Sequence, residues 1–254
     1  MEDNQMTWSG WRALPVVLLA AGAASISACG TNTPPRDDEQ TFDYSGSHLS
    51  IDATNFKVHL VRGDGPGIHA KRHLTGMAAE AGNASWSVDG DALRLDAKCE
   101  GFAPGCGASF EIAVPAKVSV SVRAEAGEVT ASDLPNELDI DNTNGKVRLD
   151  NTSGKLRIRG TAGELSANGL RSPDVETTSE NGPIRLFFAA APNRVVARSA
   201  HAAVTVGLPG DVGYQIAATS DTDAAESKLP NDAGSPRRVE ASNVNGGKVL
   251  VVPA

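Results

Sequence analysis

The sequence predicts an all-β fold: short strands stacked in a solenoid-like repeat array with glycine turns. Three observations carry this. Apolar and polar residues alternate with period two in many short runs, as on half-buried strands. A Gly-x-[Val/Leu/Ile] signature recurs through the second half of the chain. Glycine is plentiful (26 residues) and aromatic residues are scarce (4%), so the core must be built from Val, Leu, Ile and Ala between closely spaced turns. Few windows support a helix of ordinary length.

The alternation is clearest from Val118 onward. Val118, Val120 and Val122 alternate with Ser119, Ser121 and Arg123, and Leu138 and Ile140 with Asp139 and Asp141. Val147 and Leu149 alternate with Lys146, Arg148 and Asp150, and Leu156 and Ile158 with Lys155, Arg157 and Arg159. The signature glycines are Gly127, Gly145, Gly154, Gly163, Gly182 and Gly247, and Ala202-Ala203-Val204 is a degenerate copy. The first four are separated by 18, 9 and 9 residues, and nine residues is one short strand plus a turn. Each glycine precedes its strand, where a positive φ is expected. One unit cannot bury its apolar face alone, whereas stacked copies can. Residues two and four places after each glycine should point inward.

Before the repeats, His48-Leu49-Ser50-Ile51, Phe56-Lys57-Val58-His59-Leu60, Ser85-Trp86-Ser87-Val88 and Leu93-Arg94-Leu95 read as further strands. Phe110-Glu111-Ile112-Ala113-Val114-Pro115 reads as a strand ended by proline.

The N-terminus reads as a targeting segment. Residues 13–28 are apolar or small, preceded by Arg12, and too short for a comfortable membrane span of about 20 residues. They fit the apolar region of a secretory signal. Glu2 and Asp3 are unusual in such a signal, and a start at Met6 would remove them. Ile26-Ser27-Ala28-Cys29-Gly30 resembles the bacterial lipobox, which implies a diacylglycerol thioether on Cys29 and cleavage before it. The expected organisation is a lipoprotein signal peptide over 1–28, the lipidated Cys29 and a flexible tether over 29–45, and one all-β domain over 46–254. The tether reading rests on the charged, Pro-containing TNTPPRDDEQ stretch. The chain is then exported and held by lipid at the outer face of the cytoplasmic membrane.

In an oxidising compartment Cys99 and Cys106, separated by EGFAPG, read as a local disulfide stapling a hairpin-like excursion between strands at 92–98 and 108–114. A metal site there would need two more ligands.

The strands and their order support a resemblance. The runs VSVSVRAEAGEVTASDLP, LDIDNTNGKVRLDNTSGKLRIRG, SENGPIRL and AAVTVGLPGDVGYQIAATS resemble the toast-rack family of bacterial adhesin-like envelope domains, over roughly residues 46–252. Val204-Thr205-Val206-Gly207-Leu208-Pro209 matches its x-V-x-L-P strand end. The resemblance implies a stacked all-β fold and an envelope role, and carries no catalytic residues with it.

The chain has no nucleophile elbow and no phosphate-binding loop. A net charge of -8 argues against nucleic acid as a partner. His48, His59, His69, His73 and His201 are dispersed; His69 and His73 are four apart, but flanking glycines disfavour a helix, so they read as solvated loop histidines. Asp221 and Asp223 lack the glycine and distal Glu of a calcium loop. Lys146, Arg148, Lys155, Arg157 and Arg159 fall on polar strand faces. They read either as cross-strand charge pairing or as a basic stripe for an anionic envelope ligand. The expected function is non-enzymatic and without cofactors: envelope binding, adhesion or envelope-stress sensing, with envelope polymers or another envelope protein as partner. A polysaccharide-active hydrolase and a structural spacer are the alternatives.

Overall fold

Period-two alternation makes each strand here two-faced, and the fold is the solution to burying one face of each. The computed structural model describes residues 33–99 and 105–254; residues 1–28 and Cys29 lie outside the described residues. The N-terminal strands are Arg36–Phe42 (β1), His48–Asp52 (β2), Lys57–Gly63 (β3), Ile68–Thr75 (β4), Ala84–Asp89 (β5), Ala92–Ala97 (β6) and Gly107–Pro115 (β7). The repeats supply Ser119–Ala124 (β8), Val129–Ser132 (β9), Leu138–Asn142 (β10), Val147–Asp150 (β11), Leu156–Gly160 (β12) and Leu165–Leu170 (β13). They continue through Asp174–Ser179 (β14), Ile184–Phe188 (β15), Arg194–Ser199 (β16) and Val204–Leu208 (β17). Gln215–Ser220 (β18), Ala225–Ser227 (β19), Arg238–Asn243 (β20) and Val249–Pro253 (β21) close the chain.

Successive repeat strands alternate between two sheets. One holds eleven strands in the order β1-β4-β7-β3-β9-β11-β13-β15-β17-β21-β19, and the other holds ten in the order β18-β20-β16-β14-β12-β10-β8-β2-β6-β5. Neighbours within a sheet are therefore two strands apart in sequence, and through the repeats they are parallel. Leu138 pairs with Val120 on one side and Leu156 on the other, and Val147 with Val129 and Leu165. The nine-residue step is half a coil, and eighteen residues make one full coil. At the C-terminal end the order changes: β20 and β21 insert between β16/β17 and β18/β19, so the last strands in sequence are not the last in space.

The inward residues are those the alternation predicts. Val147, Leu149, Leu156 and Ile158 are fully buried in one core, entering it from opposite sheets, while Arg148 and Arg157 face out. Each such Leu, Ile or Val contributes about 1.5–3 kcal/mol by leaving water. Aromatic rings gather at the N-terminal end, where Trp86 packs edge-on to Phe42 and tilted against Phe110, which also meets Phe56.

Most signature glycines are needed for a different reason than expected. Gly247 has the expected positive φ, 112°, but Gly127, Gly145, Gly154, Gly163 and Gly182 do not. A β-carbon on Gly145 would collide with the carbonyl oxygen of Gly127, one on Gly163 with that of Gly145, and one on Gly182 with that of Gly163. Coils approach so closely at these turns that no side chain fits between them.

A second column supports the same turns from the ten-stranded sheet. Asn142, Gly160, Ser179, Ser199, Asn243 and Ser220 are successive partners in register. Gly145, Gly182, Ala202, Gly246 and Asp223 each donate their N–H to the Asn or Ser side chain three residues earlier, at 2.8–3.1 Å. Four of these capping residues, Asn142, Ser179, Ser199 and Asn243, are buried, so the bonds also satisfy polar groups withdrawn from water.

Two expectations are corrected. Residues 36–42 are not tether: β1 is a strand paired antiparallel to β4 from Arg36–Leu74 to Phe42–Ile68. Its charges meet charges of opposite sign on β4, and Phe42 is buried at its end. The strands on either side of Cys99 and Cys106 do not form a hairpin, because β6 and β7 belong to different sheets.

Candidate functional site

The outer faces of the two sheets carry the polar side chains, so a functional site built from strands has to lie there or at the ends of the stack. On the ten-stranded sheet, opposite charges alternate from strand to strand. Arg159 meets Asp139 at 3.1 Å and Asp141 at 3.6 Å, Arg157 meets Glu176 at 3.9 Å, Arg194 meets Asp174 at 3.1 Å, and Arg198 meets Glu240 at 2.7 Å. Hydrogen bonding to Asp174 pushes the Arg194 guanidinium further toward its charged form. On the eleven-stranded sheet Arg148 pairs with Glu128 and Arg185 with Glu164.

This arrangement divides the expected basic stripe. Lys146 and Arg148 belong to the turn and strand of β11 in one sheet, whereas Lys155, Arg157 and Arg159 belong to β12 in the other. Strands nine residues apart face away from each other, so the two groups lie on opposite outer faces. All three arginines are neutralised by a neighbouring carboxylate. The structure realises cross-strand charge pairing and does not assemble one basic surface.

Two histidines differ from expectation: His69 and His73 stand on β4, not in loops, while His48 and His59 stand on strands as the alternation predicts. His48 lies between Ser119 and Ser121, at 3.0 and 3.1 Å, and His59 lies 2.7 Å from Thr130. His73 contacts Asp37 at 2.7 Å and His69 contacts Thr41 at 3.1 Å, with Lys71 between them bonded to Glu111. On the inner side of β4, Arg72 bonds Asp38 at 2.8 Å and lies 4.3 Å from the Trp86 ring centroid. These contacts fasten β1 to the stack. Nothing in the pattern RDDEQTF signals them, because the partners on β4 are 28 to 36 residues away.

Asp223 is occupied by the backbone: its carboxylate accepts the Gly247 N–H at 2.7 Å. Among the described residues no group of three or more His, Cys, Asp or Glu could hold a metal ion, and no helix is long and apolar enough to cross a membrane. Cys99 and Cys106 are joined in a disulfide, with Cα atoms 5.7 Å apart.

Two features escaped the sequence reading. Tyr214 is buried with a hydroxyl that has no hydrogen-bond partner, and burial pushes its pKa up. The other is the outermost strand of the ten-stranded sheet at the C-terminal end, β18, a six-residue edge without a charged side chain.

Comparison with known proteins fits this geometry. Residues 47–235 match the family model described as Toastrack DUF4097. No curated protein matches the chain. Among solved structures, the chain is similar to a "putative cell adhesion protein" from Clostridium sporogenes ATCC 15579, at 12% identity over 87% of this chain and 100% of that one, with a TM-score of 0.43. It is similar to a "putative lipid binding protein" from Parabacteroides distasonis ATCC 8503, at 11% identity, 87% and 97% coverage and a TM-score of 0.49. It is also similar to a "putative adhesin" from Parabacteroides merdae ATCC 43184, at 14% identity, 87% and 97% coverage and a TM-score of 0.38.

Proposed function

The chain belongs to the Toastrack DUF4097 family, and on that premise we propose that it is a non-enzymatic lipoprotein of the bacterial cell envelope. Lipid on Cys29 holds it at the outer face of the cytoplasmic membrane, and its β stack binds an envelope partner or reports envelope stress. The observation that carries the anchor is Ile26-Ser27-Ala28-Cys29-Gly30 closing a short apolar run. Each buried methylene of an acyl chain adds about 0.8 kcal/mol of membrane affinity. Because β1 begins at Arg36, the tether is shorter than the composition indicates. Seven residue steps span at most about 25 Å, so the lipid keeps the domain close to the bilayer.

The pairing of outer-face charges supports a specific contact with a partner over general adsorption to anionic polymers, since few of those cations are free to release counterions or attract a polyanion. The test replaces Cys29 with Ala and fractionates cells. The wild type is expected in the membrane fraction and the variant outside it, with altered mobility. A variant that stays in the membrane fraction with unchanged mobility would sink the anchor. Mature protein used to capture material from envelope fractions then separates the partners: a defined protein supports sensing, and a polymer supports adhesion.

A further inference from the structure

Sheets in a stack of this kind end in strands whose outer backbone groups are unpaired, and such edges attract other chains unless they are blunted. Three of the four edges here are blunted. β1 carries Arg36, Asp37, Asp38 and Glu39. β19 has three residues, and its Glu226 pairs with Lys248. β5 ends in Asp89, and the carbonyl of Ala84 accepts the Arg72 guanidinium at 3.3 Å. β18, Gln-Ile-Ala-Ala-Thr-Ser, has none of these devices along its second half.

The hydrogen-bond phase tells which groups are free. Gln215 donates its N–H to the Arg237 carbonyl at 2.8 Å, so Gln215, Ala217 and Thr219 face β20. The N–H and C=O groups of Ile216, Ala218 and Ser220 therefore point away from β20, on a side where no further strand lies among the described residues. Asn231 Oδ1 takes the Ile216 N–H at 2.9 Å, which leaves residues 217–220 as the open run. The side chains of Ile216 and Ala218 lie against the core but are only partly covered. Val244, next after the Asn243 that pairs with Ser220, is a large hydrophobic residue left 51% exposed. Carboxylates frame the edge: Asp211 and Asp232 by Tyr214 before β18, Asp221 and Asp223 just after it. The cation nearest in sequence, Lys228, is exposed beyond β19, and Arg238 pairs with Gln215 on the β20 side.

We propose that the open edge of β18 at residues 217–220 is a strand-addition site for an extended segment of a partner polypeptide. Main-chain bonds to Ala218 and Ser220 supply the pairing. Apolar residues at alternate positions of the segment cover Ile216 and Ala218, and Lys or Arg at its ends meet the acidic frame. The inference goes beyond the anchoring reading and does not depend on it, because the edge exists whether or not Cys29 carries lipid.

The test uses the full chain and a capped peptide, Lys-Thr-Val-Thr-Val-Thr-Val-Lys. Saturating peptide is expected to slow amide exchange at residues 217–220 at least tenfold, with affinity falling as salt rises. Ala218→Pro removes an N–H that makes no bond to β20, as edge strands tolerate, and Ala218→Lys puts a charge on the half-covered inner side. Both variants should bind at least tenfold more weakly while melting within a few degrees of the wild type. Unchanged exchange at 217–220, or equal binding by both variants, overturns the proposal. So does an acid-flanked peptide of the same core that binds as tightly. If the wild type instead dimerises and Ala218→Lys abolishes the dimer, the occupant is a second copy, and the partner-segment proposal is overturned.

Discussion

The carbonyl oxygen of Gly127 occupies the place a β-carbon on Gly145 would take, and Asn142 bonds to both residues, donating to Gly127 at 2.9 Å and accepting from Gly145 at 2.9 Å. The spacing between coils is set at this turn. Gly145→Ala must push two backbones apart, and overpacking of this kind together with lost ladder bonds should cost about 2–4 kcal/mol. Gly234→Ala, whose β-carbon would meet nothing nearer than an Asp232 oxygen at 3.5 Å, should stay within about 0.5 kcal/mol of the wild type. Denaturant melts of the two variants give the comparison. Equal stabilities would mean the coils can separate without cost.

Asn142 tests the same turn from its side chain. Asn142→Ala leaves the Gly145 N–H unsatisfied inside the protein and should cost about 1–3 kcal/mol. Asn142→Ser should recover part of that loss, since Ser179 and Ser199 accept the equivalent N–H in later coils. A Ser variant no more stable than the Ala variant would show that the donor to Gly127 matters and the acceptor does not.

Leu156 and Arg157 are neighbours with opposite environments, so they report the register directly. Leu156→Ala should cost about 2–5 kcal/mol as a buried large-to-small change. Arg157→Ala gives up a 3.9 Å surface contact with Glu176 and should change stability by no more than about 0.5 kcal/mol. A reversed ranking in urea would mean that the alternation had been assigned to the wrong faces.

Cys99 and Cys106 close a short segment between the two sheets. Mass spectrometry of the unreduced protein should show the peptide across them two hydrogens lighter than the dithiol, and finding both thiols free would reject the bond. Replacing both with Ser should lower stability by about 2–3 kcal/mol, the chain-entropy value for so short a loop.

The inside and outside of each strand were legible from period two, because burying one face is a local property of alternation. Val147 and Leu156 were placed correctly for that reason. Which strands are hydrogen-bonded neighbours was not legible. A nine-residue spacing is compatible with adjacent strands or with strands facing each other across a core, and the difference decides whether Arg148 and Arg157 share a surface. The glycines were recognised, but except at Gly247 their role was misread: a turn that needs positive φ and a turn that needs backbone contact leave the same residue in the sequence. β1 was read as tether because its strand character is supplied from outside, by Arg72 and His73 on β4. The β18 edge was invisible because β20 and β21 insert behind it, and no local pattern announces an order of strands that departs from the order of the chain.

Tyr214 offers a prediction with a pH axis. Its ring is buried and its hydroxyl has no partner. Burial raises its pKa first; Arg237 opposes that shift and Asp211 adds to it. The folded protein therefore holds the phenol protonated to higher pH than the unfolded chain, whose tyrosine ionises near pH 10. The stability this contributes is complete below the unfolded pKa and is lost as pH rises through the folded one. Wild-type protein should melt at falling temperature above about pH 10. Tyr214→Phe keeps the ring and removes an unsatisfied polar group, so at neutral pH it should match the wild type or gain up to about 1 kcal/mol. Above pH 10 its melting temperature should fall less steeply, because the ionisation linked to unfolding is gone. A Phe variant less stable than the wild type by more than about 1 kcal/mol at neutral pH would mean that the hydroxyl is bonded after all, and parallel alkaline profiles would place the alkaline loss on other groups.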